Sequence, residues 1–371
     1  MRIMRRMRAV GIVASAALAL AACGTDDNTG SPGVDVADGN VSCEGKDTLT
    51  ASGSSAQKNA MDRFVAAYEG LCDGGTVNYN ASGSGAGVTD FIGKQTDFAG
   101  SDSPLKDDAG EVERARERCD GNDPWHLPAV FGPVAMSYNL DGVNDLNLDA
   151  ATLAKIFTGK IQTWNDEAIA ALNEGAQLPD TPITVVFRSD ESGTTDNFQK
   201  YLEIAAENDW DKGDGKSFNG GVGEGAKGSD GVTSVVQQTP GSITYAEWSF
   251  AKQRELGIAK IINSGGGEAV ELSNESAGTA IDAAEISGEG NDLVLDLDSI
   301  YGTEAEGAYP LILATYEIVC SSYADPEVGG AVQSFLNVAI NQGQEGLEEN
   351  GYVPAPPAFK DKLQGAVDAI S

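Results

Sequence analysis

Residues 183–198 read ITVVFRSDESGTTDNF, and this stretch decides the fold predicted for the rest of the chain. Its first four residues form a β-branched run, which predicts a buried strand. The pattern breaks at residues 188–193 and resumes as a predicted helix from Thr194. An arginine, a serine hydroxyl and a glycine therefore lie where a strand leads into a helix. Such a turn offers unpaired backbone N–H groups and the positive end of a helix dipole, which together suit an anion.

The charged residues of this turn permit two interpretations. Arg188 carries a planar fork of donors that matches phosphate or carboxylate oxygens, and Asp190 is close enough in sequence to hold the guanidinium in place. Taken alone, however, the turn also fits a serine-capped helix with a surface salt bridge, which is the commoner arrangement. The choice depends on whether other turns share the design.

Two other turns do share it, at residues 52–56 (SGSSA) and 82–87 (SGSGAG). Each lies between a predicted strand and a predicted helix, as residues 192–194 do. Glycine lets the backbone approach a ligand closely, and serine adds a hydroxyl donor. Strand–turn–helix units in series predict a mostly parallel sheet that binds its ligands at the carboxyl ends of the strands. Three such turns and Arg188 therefore predict one shared anion site.

Asp102 is the unusual member of this group because a carboxylate at the end of its strand should repel an anion. It is explained if the ligand still carries a proton. Monohydrogen phosphate has an O–H to donate, whereas sulfate has none at neutral pH. A fixed carboxylate would accept a hydrogen bond from phosphate and would face sulfate as an unpaired, repelled charge.

Chain length and net charge limit the fold and the partners that this protein can have. A chain of 371 residues predicts two lobes. Its formal net charge is −33, and removing the arginine-rich leader described below leaves 20 basic and 57 acidic residues, a charge of −37. This balance excludes nucleic acid as a partner. Since the overall field repels phosphate, an anion site must act through local dipoles and one or two cations.

The N-terminus predicts export and membrane attachment. Residues 1–22 combine four arginines with a short apolar run, which predicts a signal peptide. The sequence LAAC at 20–23 resembles the lipobox of bacterial lipoproteins, so Cys23 is the expected lipidated first residue of a chain anchored on the extracytoplasmic face of the cell membrane. An ordinary signal peptide followed by an unmodified cysteine is the alternative. Residues 23–47 predict a flexible tether.

Four further cysteines predict two disulfides in an oxidising compartment. Sequence allows three pairings of Cys43, Cys72, Cys119 and Cys320. We favour Cys43–Cys72, because the start of a strand and the end of the following helix lie at the same end of a βα unit. Cys119–Cys320 then follows by elimination. Wide cysteine spacing and a single histidine disfavour a metal site.

Six motifs carry a resemblance over residues 48–371 to the substrate-binding lipoproteins of bacterial high-affinity phosphate ABC importers. They are TASGSSA (50–56), YNASGSGAG (79–87), DFAGSDSPL (97–105), IFTGKIQTWNDEAIAALN (156–173), FRSDESGTT (187–195) and GSITYAEWSFAKQ (241–253). The resemblance implies an α/β, two-lobed type II periplasmic-binding-protein fold with a hinge. We place a discontinuous first lobe at 48–130 plus 309–371 and the second at 131–308.

The resemblance also implies which residues bind phosphate, in its monohydrogen and dihydrogen forms: Ser55, Ala56, Ser84, Asp102, Arg188, Ser192, Gly193 and Thr194. Asp102 would accept the ligand's proton. The expected partners are the importer's membrane subunits, and we expect a monomer with no cofactor and no enzymatic activity. Two departures matter. Ser55-Ala56 stands where many relatives have Thr-Phe, and the four extra cysteines and the acidic surface are not general in the family.

Two other classes of protein fit the sequence less well. An enzyme could use Ser84 or Ser192 as a nucleophile, but the chain has no Gly-x-Ser-x-Gly elbow. His126 has no visible acid partner in the sequence, and we interpret it as a structural or surface residue. A binder of another oxyanion, such as sulfate or molybdate, is disfavoured by the combination of Asp102 and Arg188.

Overall fold

The computed structural model describes residues 41–371. The predicted signal peptide (1–22), the predicted lipidation site Cys23 and residues 24–40 of the predicted tether lie outside the described residues. Within residues 41–371, no helix is both long enough and apolar enough to cross a bilayer.

The described chain alternates strands and helices. The strands are β1 (Thr48–Gly53), β2 (Thr76–Asn80), β3 (Phe98–Ser101), β4 (Pro124–Asn139), β5 (Asn147–Asp149), β6 (Thr184–Arg188), β7 (Glu224–Ala226), β8 (Ser242–Glu247), β9 (Gly257–Ile258), β10 (Lys260–Ile262), β11 (Glu285–Ile286), β12 (Leu295–Asp296) and β13 (Ile312–Cys320). The helices are α1 (Lys58–Leu71), α2 (Ser84–Ile92), α3 (Glu111–Arg118), α4 (Ala150–Phe157), α5 (Glu167–Leu172), α6 (Gly193–Ala205), α7 (Gly228–Gln238), α8 (Trp248–Gln253), α9 (Asn274–Ile281), α10 (Asp298–Tyr301), α11 (Pro326–Ile340) and α12 (Pro357–Asp368).

One large sheet organises the molecule, with strand order β2-β1-β3-β13-β4-β8-β6-β7 and β9 added beside β4. We call β2-β1-β3-β13 the first half-sheet and β8-β6-β7 the second half-sheet. The pairs β1–β2, β1–β3, β6–β7 and β6–β8 are parallel, whereas β13 pairs antiparallel with β3 and β4, and β4 pairs antiparallel with β8. The predicted mostly parallel sheet is therefore wrong. The sheet is mixed, because antiparallel strands join two parallel outer parts.

Strand β4 joins the two half-sheets. Its sixteen residues are almost all buried, as expected of a strand covered on both faces. Its pairing with β13 ends at Pro133, and its pairing with β8 begins at Val134. This change of partner falls close to the predicted crossing from the first lobe to the second at residues 130–131. The exact predicted lobe boundaries stay a prediction.

Aromatic packing holds the helix that carries the Arg188 turn. In α6, Phe198 stacks on Tyr245 of β8 with ring centroids 4.5 Å apart, and Phe157 of α4 meets Phe198 edge-on at 4.7 Å. Such pairs contribute about 0.5–1.5 kcal/mol beyond their buried area. The N-terminus of α6 is thereby fixed at the carboxyl end of β6.

Both predicted disulfides, Cys43–Cys72 and Cys119–Cys320, are confirmed. The first ties the segment before β1 to the end of α1. That segment is also held by Glu44, whose N–H donates to Ser334 Oγ at 2.9 Å, and by a Lys46–Asp97 ion pair at 2.6 Å. The last residues of the predicted tether therefore lie against the body of the protein.

Candidate anion-binding site

The eight predicted site residues meet where the two half-sheets face each other. Each of them is buried, and Ser55 is 5% exposed. Ser55 and Ala56 lie in the turn before α1, Ser84 is the first residue of α2, Asp102 comes immediately after β3, and Arg188 ends β6. Ser192 caps α6, and Gly193 and Thr194 are its first two residues. The carboxyl ends of parallel strands and the N-termini of the following helices thus converge, as a ligand site in an open α/β sheet requires.

Asp102 lies among hydroxyl groups. Its Oδ1 accepts a hydrogen bond from Thr315 Oγ1 at 2.8 Å, while Oδ2 lies 3.3 Å from Thr194 Oγ1 and 3.4 Å from Ser84 Oγ. Burial raises the pKa of Asp102, and the hydroxyls of Ser54, Thr315 and Thr194 and the charge of Arg188 oppose that rise. The Asp102 carboxyl is therefore a buried hydrogen-bond acceptor whose pKa is set by burial, by neighbouring hydroxyls and by Arg188.

Arg188 supplies the site's cation. Its side chain is 2% exposed, and its Nε and Nη2 donate to Asp190 at 2.8 and 2.5 Å. Burial would raise the pKa of Asp190, but the hydrogen bonds and charge of Arg188 outweigh it and lower the pKa. Asp190 therefore stays ionised and fixes the guanidinium, as its position in the sequence predicts. Among the residues that the structure describes, Arg188 Nη1 has only a long 3.5 Å contact with Ser229 Oγ.

Two glycines allow the turns to approach each other. A Cβ on Gly193 would lie 2.6 Å from Asp102 Cβ and 2.7 Å from Ser84 Oγ, and a Cβ on Gly83 would lie 2.6 Å from Asp190 Oδ2. Gly83 also has a φ of 107°, which favours glycine. Larger side chains at these positions would force the turns apart.

The other predicted residues take local roles as well. Ser192 caps α6 by accepting from Thr195 N–H at 3.2 Å, and the Ala56 N–H donates to Ser54 Oγ at 3.1 Å. Ser55 Oγ accepts from Ser229 N–H at 3.0 Å across the interface between the half-sheets. Helix capping is thus observed at these turns, but the Arg188–Asp190 ion pair is buried and does not form the surface salt bridge of the alternative interpretation. The shared anion site stays a prediction.

Several site residues were missed from the sequence: Ser54, Asn197, Ser229 and Thr315. Asn197 Nδ2 donates to the Asp102 carbonyl at 2.7 Å. Ser229 is the second residue of α7, the helix that follows β7. Because β7 reads Glu-Gly-Ala, it has no β-branched residue to mark it as a strand. Ser54 lies inside a recognised motif, so the SGSSA pattern could have indicated it.

Two buried acids flank the site. Burial raises the pKa of Glu247 to about 8, although Ser249 donates to it through both its hydroxyl and its N–H. Burial also raises the pKa of Glu317 to about 8. Within residues 41–371, neither Glu317 oxygen nor the neighbouring Gln57 Oε1 has a hydrogen-bond partner. A protonated Glu317 would supply the missing donor, so the neutral acid is the form that this environment favours.

His126 has an acid partner, contrary to the sequence interpretation. It is 3% exposed, its Nδ1 lies 2.7 Å from Asp292 Oδ1, and its Nε2 accepts from Leu105 N–H at 3.0 Å. The partner was missed because 166 residues separate the pair. Both ring nitrogens are thus engaged, which makes His126 a structural residue. Residues 41–371 contain no cluster of His, Cys, Asp or Glu suited to a metal ion.

Polar contacts also close the interface between the half-sheets beside the site. Ser103 Oγ donates to the buried Asp196 of α6 at 2.7 Å, and Asp196 lies 3.5 Å from Lys106 and 3.1 Å from Lys200. Gly85 N–H donates to the Glu191 carbonyl at 3.0 Å. The two sides therefore contact each other directly around the predicted site.

Comparison with known proteins shows the family to which this chain belongs. A model described as a PBP superfamily domain matches residues 40–342. Phosphate-binding protein PstS 3 of Mycobacterium tuberculosis is 55% identical over 373 residues, and PstS 2 of the same species is 53% identical over 371; each match covers 100% of both chains. The chain therefore belongs to the PBP superfamily and, within it, to the family of PstS phosphate-binding proteins.

A solved structure supports the fold. The periplasmic phosphate-binding protein PfluDING, described as high affinity and bound with phosphate, superposes with a TM-score of 0.69 at 23% identity. The match covers 86% of this chain and 93% of the other. The predicted two-lobed α/β fold is confirmed by this likeness and by the family membership.

Proposed function

We propose that this protein binds inorganic phosphate between its two half-sheets, outside the cytoplasmic membrane, and delivers it to an ABC permease. The observation that carries the proposal is the convergence of Asp102 and Arg188 with the N-termini of α2 and α6 in one buried place. The names of the mycobacterial relatives support the same ligand.

The ligand would be held by complementary donors and one acceptor. Arg188 and the N–H groups at the start of α6 would donate to phosphate oxygens, as would the hydroxyls of Ser55, Ser84, Ser192 and Thr194. Each charge-assisted hydrogen bond is worth about 1.5–3 kcal/mol. After the cost of ordering, several of them reach micromolar affinity or better, roughly −8 kcal/mol.

Asp102 would supply selectivity. Its carboxylate accepts a hydrogen bond from the phosphate O–H but has nothing to accept from sulfate, so sulfate binding would place two unpaired negative charges together. Arg188 is already balanced by Asp190. The site therefore adds no free positive charge to compensate for sulfate.

The remaining parts of the proposal concern movement and attachment. We place the lobes at 48–130 plus 309–371 and at 131–308, and β4 joins them. Phosphate that contacts both lobes would favour the closed arrangement, which the permease would recognise. We further propose that the monomer is attached to the membrane through lipidated Cys23. An enzymatic role has no support here, because His126 is engaged by Asp292 and Leu105 and is not available as a base for Ser84 or Ser192.

A titration of ligand-stripped protein with phosphate and with sulfate tests the proposal. Calorimetry should give a phosphate dissociation constant in the micromolar range or below and no measurable sulfate binding. Tight binding of sulfate, or no heat with phosphate, would refute it.

A further inference from the structure

A threonine hydroxyl of the first half-sheet contacts Asp102, the proposed proton acceptor. Thr315 of β13 is fully buried, and its Oγ1 donates to Asp102 Oδ1 at 2.8 Å. Strand β13 runs antiparallel to β3 with Tyr316 opposite Ser101, so Asp102 comes opposite Thr315. Directly opposed residues of antiparallel strands have Cβ atoms about 4.5–5.5 Å apart. The register of the sheet thus creates this contact.

The pairing of β13 with its other neighbour, β4, is irregular at the same point. Against β4, the register changes from Thr315 opposite Val130 to Tyr316 opposite Pro128, which leaves Ala129 unpaired. Pro128 has no N–H to donate to the ladder, and such irregularities redirect side chains and are common beside functional sites. The sheet is therefore distorted where Thr315 meets Asp102.

The two carboxylate oxygens of Asp102 are held unequally. Within residues 41–371, Oδ1 accepts one short hydrogen bond, from Thr315, whereas Oδ2 has only the longer contacts with Thr194 and Ser84. The backbone is fixed on both sides, because Asp102 N–H donates to Ser84 Oγ at 3.2 Å and the carbonyl accepts from Asn197. Oδ2 is therefore the oxygen with capacity for a ligand proton, and it lies beside two predicted phosphate-binding hydroxyls.

We propose that Thr315 is a specificity-determining positioning residue, which occupies Oδ1 and holds the carboxylate ionised with Oδ2 directed to the ligand. This inference rests on the proposed phosphate binding. Loss of the hydroxyl would leave Oδ1 buried without its donor and would make Asp102 easier to protonate. A protonated Asp102 would offer an O–H to sulfate, which is the contact that the site otherwise denies.

The test measures phosphate and sulfate binding by calorimetry from about pH 5 to about pH 8 in Thr315→Val, which is close in shape but has no hydroxyl. We expect the ratio of the sulfate to the phosphate dissociation constant to fall by about tenfold or more relative to wild type at the same pH, most strongly at the acidic end. Arg188 and the two buried acids Glu247 and Glu317, whose pKa values burial raises to about 8, also act on Asp102, and the comparison at each pH keeps these groups the same in variant and wild type. Thr315→Ser, which retains the hydroxyl, should restore the wild-type ratio. Thr244→Val, at another buried strand threonine, should leave the ratio unchanged.

The outcomes separate this inference from the proposed function. If wild type binds no phosphate, both the proposed function and the inference that rests on it are refuted. If wild type binds phosphate selectively and Asp102→Asn reduces selectivity while Thr315→Val does not, at any pH, only the inference is overturned. A parallel loss of both anions without a pH effect would show a merely structural role and would also overturn it. Thr315→Ala is measured in the same way if Thr315→Val does not fold.

Discussion

Replacing Arg188 is the strongest test of whether this acidic chain binds phosphate through local contacts. Arg188→Met keeps the length and packing of the stem and removes the charge and donors. Because Nη1 has only a long protein contact, it is the nitrogen available for one or two charge-assisted bonds to phosphate. At about 1.5–3 kcal/mol each, with part of the loss offset by relaxation, we expect phosphate affinity to fall by about 2–4 kcal/mol. This corresponds to roughly a 30- to 1,000-fold rise in the dissociation constant.

The assay is calorimetry on ligand-stripped protein at about 50 and about 500 mM NaCl. A buried contact is screened little, so the difference between variant and wild type should persist at high salt. Arg116→Met is the control, because Arg116 of α3 is also ion-paired, with Asp123 at 3.0 Å and Glu113 at 3.2 Å, and none of these three is a predicted site residue. It should bind phosphate as wild type does.

The double variant Arg188→Met/Asp190→Asn separates two explanations. Removing Arg188 alone leaves Asp190 buried with the Gly228 N–H as a remaining donor, so the negative charge itself could repel phosphate. If the double variant recovers full affinity, the effect of Arg188 is only to neutralise Asp190. An unchanged dissociation constant in Arg188→Met would remove Arg188 from the site altogether.

Three further predictions follow from the site, a buried acid and the N-terminus. Asp102→Asn should relax discrimination between phosphate and sulfate, and a variant that excludes sulfate in calorimetry as well as wild type does would contradict the proton-acceptor role. Glu317 has an unfolded pKa of 4.5 and a folded pKa of about 8, so the stability from its protonated form is present below pH 4.5 and is lost as pH rises towards 8. Glu317→Gln should therefore raise the free energy of unfolding at pH 7 by up to about 3 kcal/mol with little change at pH 4.5, and urea titrations that show the same difference at both pH values would refute this. Radioactive fatty acid should label wild type in cells but not Cys23→Ala, and equal labelling would exclude the anchor.

Local patterns predicted the parts of the site that are contiguous in sequence. The β-branched run before Arg188 and the serine- and glycine-rich turns specify strand–turn–helix units through neighbouring residues alone, and β1, β2 and β6 form where expected. The observed helix boundaries differ from the predicted ones because residues of the preceding turn join a helix when caps and contacts support them. Thus α6 begins at Gly193, where the sequence predicted Thr194.

Contacts between distant residues escaped prediction. Residue 315 pairs with residue 102 across 213 positions, and Asp292 lies 166 positions from His126. Neither side chain carries a local pattern that indicates its partner. The mixed sheet was missed for the same reason, since the place of β13 between β3 and β4 depends on pairing between distant segments.

Residue types and short spacings thus predicted the chemical groups available to this chain. They are Arg188 with its carboxylate partner Asp190, hydroxyl-rich helix N-termini, and Asp102, an acid suited to accept a hydrogen bond from a protonated anion. The folded sheet decided which of these groups meet and what supports them. Strand register places Thr315 behind Asp102, and the glycines at 83 and 193 let the turns of the two half-sheets come together. Such geometry depends on long-range pairing and close packing, which no stretch of neighbouring residues encodes alone.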